Sequence, residues 1–157
     1  MNGIDKKIVE YLKSHHAKFE QVHHAPAGSV EEYQKTLGTR LEQQAKALFI
    51  RFKRTGSKGF VVATMPANKK ADLNQIRKEL VANEVRLGTK EQLEETTGCT
   101  YGELPPLGKF FSLPLLMDKE LLSEEKIYFN AGSLSFSIII SPEEIVRIEE
   151  PVLFETP

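Results

Sequence analysis

Cysteine is almost missing from this chain, with one among 157 residues, so no internal disulfide can form and a reducing compartment, the cytoplasm, is the expected location. Also missing is any apolar run near the roughly 18 residues that a membrane-spanning helix needs, so no membrane association is expected. The N-terminal residues read as the start of a helix rather than a signal peptide. Charge of one sign is lacking too. With 21 basic against 22 acidic side chains the net charge is −1, which excludes a general polycationic coat for nucleic acid but permits a local basic patch. The chain has no βαβ nucleotide fingerprint, no Gly-x-Ser-x-Gly elbow, no paired-carboxylate motif and no internal repeat. Metal-ligand spacing is absent as well, because His15-His16 and His23-His24 are adjacent pairs whose members point apart on a helix or a strand.

What is present is ordinary for a soluble globular protein: 40% apolar and 27% charged residues, at a length that suits a single domain over residues 1–157. Ile4, Ile8, Tyr11 and Leu12 recur at helical spacing after a cap at Asn2, and Phe19 to His23 reads as a short strand. Ser29 with Glu32, Asp72 with Gln75 and Thr89 with Gln92 each form a capping-box pattern that opens a helix, and Gly38 and Gly98 close the first and third. Ala45 to Lys53 is a strong strand. Its period of two sets Lys46, Leu48, Ile50 and Phe52 on one face and Ala47, Phe49, Arg51 and Lys53 on the other. A loop from Arg54 to Gly59 should return the chain into Phe60 to Met65, paired antiparallel with it and ended by Pro66. Further strands are expected at 85–87, 113–117, 126–129 and 134–140, with a tight turn at Asn130-Ala131-Gly132. Ser141-Pro142 opens a last helical turn, and the acidic tail from Glu149 should fray. Short helices interrupting pairs of strands imply an α+β fold with a mixed, largely antiparallel curved sheet.

Two features carry chemistry. The segment Thr97 to Gly108 combines three glycines with two prolines, so Gly102-Glu103-Leu104-Pro105-Pro106 can hold one rigid path with backbone N–H groups turned outward. Lys46, at the start of an apolar row, either snorkels to solvent or stands as a fixed positive charge suited to a phosphate or oxyanion. Cys99 reads as a small buried residue, with a nucleophilic role as the competing reading. The hairpin Arg51-Phe52-Lys53-Arg54 with Lys58 is a solvated strand end or a phosphate contact.

Gln44-Ala45-Lys46-Ala47-Leu48, Ala71-Asp72-Leu73, Thr97-Gly98 with Gly102-x-x-x-Pro106, and Phe129-Asn130-Ala131-Gly132 together, and in this order, resemble the prolyl-tRNA-editing domain family, the YbaK/ProX-like aminoacyl-tRNA deacylases. The resemblance implies a trans-editing hydrolase that cleaves the ester joining a wrong amino acid to tRNA, without cofactor or metal. It places Lys46 near the terminal adenosine and the loop of Gly102, Glu103, Leu104, Pro105 and Pro106 beside the aminoacyl group. His24 belongs to an early His-x-Pro-like segment. Asn130, Ala131, Gly132 and Ser133 form the wall that sizes the side chain. In these motifs the chain is most similar to a stand-alone branch linked to Ser, Thr and Ala mischarging. The partner so implied is the acceptor end of aminoacyl-tRNA, with a synthetase or translation factor as a further associate and the oligomeric state left open. The competing reading is a module that binds an aminoacyl nucleotide or tRNA end without turnover.

Overall fold

The computed structural model describes residues 3–156. Strands β1 (Phe19–His23), β6 (Ile127–Asn130) and β7 (Phe136–Ile140) form a three-stranded antiparallel sheet in the order β1-β7-β6. The other sheet has five strands in the order β4-β2-β3-β5-β8, namely β4 (Glu84–Leu87), β2 (Ala45–Arg54), β3 (Ser57–Pro66), β5 (Leu115–Asp118) and β8 (Val152–Phe154). Its β2–β3 and β2–β4 pairs are antiparallel, while β3–β5 and β5–β8 are parallel. An isolated bridge between Gln44 and Tyr128 joins the two sheets. The fold is α+β, and the expected curved sheet is divided in two at that point.

Helices α1 (Ile4–Ser14), α2 (Val30–Leu37), α3 (Leu73–Glu79), α4 (Lys90–Thr97) and α5 (Pro142–Glu149) pack around these sheets. No described helix is long and apolar enough to cross a membrane. Both faces of β2 are covered, which is why its two rows are both largely apolar. Ala45 and Phe49 face the main core with Leu104, Phe129 and Ala131. Ile50 and Phe52 face a second core with Val61, Ala63, Met65 and, from α3, Ile76.

The capping patterns at Ser29 and Thr89 form in full, with Gly38 and Gly98 left-handed at the helix ends. At Asp72 only half of the box is made. Its carboxylate accepts from Gln75 N–H, but the Gln75 side chain turns to Glu79 instead. The expected cap Asn2 lies outside the described residues.

Four expectations are corrected. The hairpin loop is shorter than 54–59, because Arg54 pairs with Ser57 and only Thr55-Gly56 turns, with Gly56 at φ 81°. The strand expected from 113 begins at Leu115, since the Pro114 carbonyl is taken by Val62 N–H beside a short 3-10 turn at 109–111. The turn after β6 runs through 131–135 rather than closing at Gly132, because Ala131 N–H already bonds Phe136 O. The tail does not fray over its described residues. Glu149 and Phe154 are buried, and β8 pairs in parallel with β5.

Candidate functional site

A cleft of about 230 Å³ opens where the two sheets meet. Its walls are the first half of β2 (Ala45 to Leu48), the end of β6 (Tyr128 to Asn130), the segment from Ala27 into α2 as far as Tyr33, and the loop residues Tyr101, Gly102 and Leu104. The capping box at Ser29 sets the direction of α2 and so delivers Tyr33 to the cleft. Gly98, left-handed at the end of α4, turns the chain into the Gly/Pro loop.

Asn130 organises the floor. Its Nδ2 donates to Ala27 O at 2.7 Å and to Gly102 O at 3.0 Å, which ties the α2 approach and the Gly/Pro loop to β6. Both acceptors are carbonyls, so the amide orientation is settled by chemistry and Oδ1 faces Ser137 Oγ, which donates to it at 3.1 Å. Ser137 is fully buried and also meets Tyr33 OH at 2.8 Å and His24 Nε2 at 2.7 Å. Burial holds the Tyr33 phenol well above its ordinary pKa, so it stays a neutral donor. His24 Nδ1 faces Ala25 O at 2.7 Å. His24 therefore stands behind the cleft and reaches it through Ser137.

Gly102 sits at φ 85°, and a Cβ there would lie 2.9 Å from Gly28 O and 3.0 Å from Leu134 Cδ2. Only glycine fits this approach. The rest of the loop turns inward. Leu104 lines the cleft, whereas Pro105, Pro106 and Leu107 are buried beyond it. Glu103 braces the turn, taking Thr100 N–H on Oε1 at 2.8 Å and Gly132 N–H on its carbonyl at 2.8 Å. Gly132, at φ 82°, packs against Ile4, and a Cβ there would come within 2.6 Å of the Ile4 side chain. Ala131 belongs to the main core, and Ser133 Oγ accepts from Ser135 N–H at 3.1 Å. Thus Lys46, Gly102, Leu104 and Asn130 come together at the cleft. His24, Glu103, Pro105, Pro106, Ala131, Gly132 and Ser133 stand behind it.

Lys46 lines the cleft half-buried, with its amine donating to the Lys69 carbonyl. Desolvation lowers its pKa. Lys69 in turn reaches the buried Asp118 and the exposed Glu120, each at 3.2 Å, and Thr156 O at 2.9 Å, so the segment after β3 is laced to the C-terminal segment. Cys99 is fully buried, and burial pushes its thiol up to about 11, against a nucleophilic role. The histidines stay apart, with His23 against Phe136 and His15 against Tyr11.

Sequence reasoning missed Tyr33, Tyr101, Tyr128 and the Ala27 to Val30 wall. The complete capping box at Ser29 was the one available signal for that wall, because a helix N-terminus held so firmly two residues after Ala27 fixes what faces it.

Residues 24–148 match the aminoacyl-tRNA editing domain family. The multifunctional Ser/Thr-tRNA deacylase ProXp-y of Escherichia coli K12 is 32% identical over 149 residues, covering 94% of this chain and 89% of that protein. A candidate Cys-tRNA(Pro)/Cys-tRNA(Cys) deacylase, EbsC of Enterococcus faecalis, is 27% identical over 142 residues, covering 90% and 85%. The crystal structure of a candidate trans-editing enzyme for prolyl-tRNA synthetase has the same fold, with a TM-score of 0.83 at 19% identity over 99% of this chain and 97% of that one. By sequence and by fold, the chain belongs to the aminoacyl-tRNA editing domain family.

Proposed function

We propose that this protein hydrolyses the ester of mischarged aminoacyl-tRNA and accepts small side chains such as alanine, serine or threonine. The observation that carries the reading is the cleft itself, a small chamber between a free strand edge and the Gly102 turn, with Asn130 at its floor. At about 230 Å³ it falls below the roughly 300–1,000 Å³ of pockets for drug-sized ligands, which suits an aminoacyl group with a short side chain. In the reaction a water oxygen adds to the ester carbonyl carbon and the bond to the ribose oxygen breaks. That oxygen takes a proton, releasing free amino acid and tRNA.

Among the described residues no carboxylate or histidine lines the cleft. The protein therefore acts by position and by hydrogen bonds to developing charge, on an ester already activated by its neighbouring ammonium group. The Gly102 turn positions the aminoacyl group, and Lys46 on the opposite side supplies the positive charge nearest the ribose and terminal phosphate. The same lack of a carboxylate or histidine favours the second reading, a module that binds the aminoacylated end without turnover. A panel of mischarged tRNAs separates the two. Release of serine, threonine or alanine with leucyl-tRNA left intact is expected, and binding without release would establish the second reading.

A further inference from the structure

The edge of β2 at the cleft carries unpartnered main-chain groups. Strand β4 pairs with β2 only from Ile50 to Lys53, and the bridge between Gln44 and Tyr128 brings β6 against only the start of β2, so between the two Ala47 has no strand partner on that side among the described residues. Phe49 O accepts from Gly88 N–H at 2.8 Å and Lys53 O accepts from Asn83 N–H at 2.8 Å, so odd-numbered residues of β2 aim their main-chain groups toward β4. On the other side Gln44 O accepts from Ala67 N–H at 3.0 Å, so even-numbered residues serve β3. Strand periodicity then aims the N–H and C=O of Ala47, which lines the cleft, into open space where β4 has ended.

We infer that Ala47 receives the aminoacyl group as if it were the next residue of β4. In an antiparallel sheet a hydrogen-bonded pair exchanges two bonds, N–H to O=C in each direction. An α-amino ester offers the same two groups in the same order. Its ammonium donates to Ala47 O, and its carbonyl oxygen accepts from Ala47 N–H. As water adds, negative charge grows on that oxygen and the Ala47 N–H bond strengthens, so the amide is a catalytic oxyanion donor. Both contacts are common to every amino acid, which leaves selection by side chain to the cleft walls. This inference rests on the deacylase reading above.

Ala47→Pro is the direct test, because proline is tolerated on a strand edge whose N–H faces away from the ladder. Loss of one oxyanion donor should lower kcat about 100-fold, equally for alanyl- and seryl-tRNA, with KM little changed. Replacement of Ala47 by lactic acid, which exchanges only the N–H for oxygen, should lower kcat at least about tenfold and decides the matter if the proline variant does not fold. On the wild-type protein, propionyl-tRNA, which lacks the amino group, should be cleaved at least about tenfold more slowly than alanyl-tRNA after correction for each ester's hydrolysis in buffer. A folded proline or lactic-acid variant with wild-type kcat, or equal corrected rates for the two esters, would overturn the strand-edge role alone. Absence of turnover by the wild-type protein on every mischarged tRNA would overturn the deacylase reading and this inference together.

Discussion

At the scale of single residues, Gly102 and Cys99 lie three positions apart and should behave in opposite ways. Valine at 102 would need a left-handed backbone and would drive its Cβ against Gly28 O and Leu134, so Gly102→Val should abolish deacylation. Cys99→Ala should keep activity and cost stability by only ~1 kcal/mol, the loss of one buried sulfur. Activity assays and thermal melts on both variants check this ranking. Since burial raises the thiol from about 9 to about 11, the thiol form is the one the fold favours. Its contribution to stability is full below pH 9 and declines as pH rises toward 11, and alkylation of the native protein at pH 8 should be slow. Lys46→Ala should lower deacylation at least about tenfold, ~1.4 kcal/mol of transition-state stabilisation, in a protein that still folds. Sequence placed Lys46 correctly on an apolar row, because alternation is local. That its amine meets the Lys69 carbonyl was not legible, because the contact joins residues 23 positions apart.

Among the elements, α5 and α1 hold the Gly/Pro loop from behind. Glu149, buried at the end of α5, accepts from Gly108 N–H at 2.6 Å and from the Tyr11 hydroxyl. Burial, reinforced by this carboxylate, raises the Tyr11 pKa, so the phenol remains a donor. Glu149→Ala strands the Gly108 N–H at the start of the 109–111 turn and the Tyr11 hydroxyl on α1, and should cost roughly 2–4 kcal/mol in urea unfolding. Tyr11→Phe leaves the Gly108 bond in place and should cost about half as much, a comparison that isolates the loop's share. Read from sequence alone, Glu149 began an acidic tail, and nothing near it signals burial. Its partners are about 40 and 140 positions away. By contrast β1 was legible to the residue, and the Ser29 and Thr89 helices to within one, because alternation and capping boxes are short-range signals. The parallel β5–β8 pairing escaped for the same reason that Glu149 did. Three residues of strand carry little periodicity, and their partner lies 36 positions earlier.

Over the whole molecule, the near balance of 21 basic and 22 acidic side chains limits how tRNA can be held. Cations are unevenly placed, however. In the β2–β3–β4 face, Arg51 lies directly opposite Arg86, a like-charge pair that costs stability unless an anion lies over it, while Lys53 lies between Lys58 on β3 and Glu84 on β4. Arg54, which sequence grouped with them, is turned away. Its guanidinium lies 4.8 Å over the Phe52 ring and donates to Leu80 O at 2.8 Å. Along β2 from Ala47 to Arg51 and Lys53 is roughly 13–20 Å at about 3.3 Å per residue, so these side chains can meet the backbone a few nucleotides from an end seated in the cleft. With about two to four phosphates neutralised, log K should fall against log salt with a slope of roughly −1.5 to −3. Lys53→Glu with Lys58→Glu should weaken tRNA binding and flatten that slope, whereas Arg54→Glu should leave the slope unchanged and instead lower stability. The ranking among amino acids should stay the same in both, because phosphate contacts position while the cleft selects. Binding titrations over a salt series decide it. A slope near −8 would mean that the tRNA body is engaged, and an unchanged slope in the Lys53/Lys58 variant would remove this face from the interface.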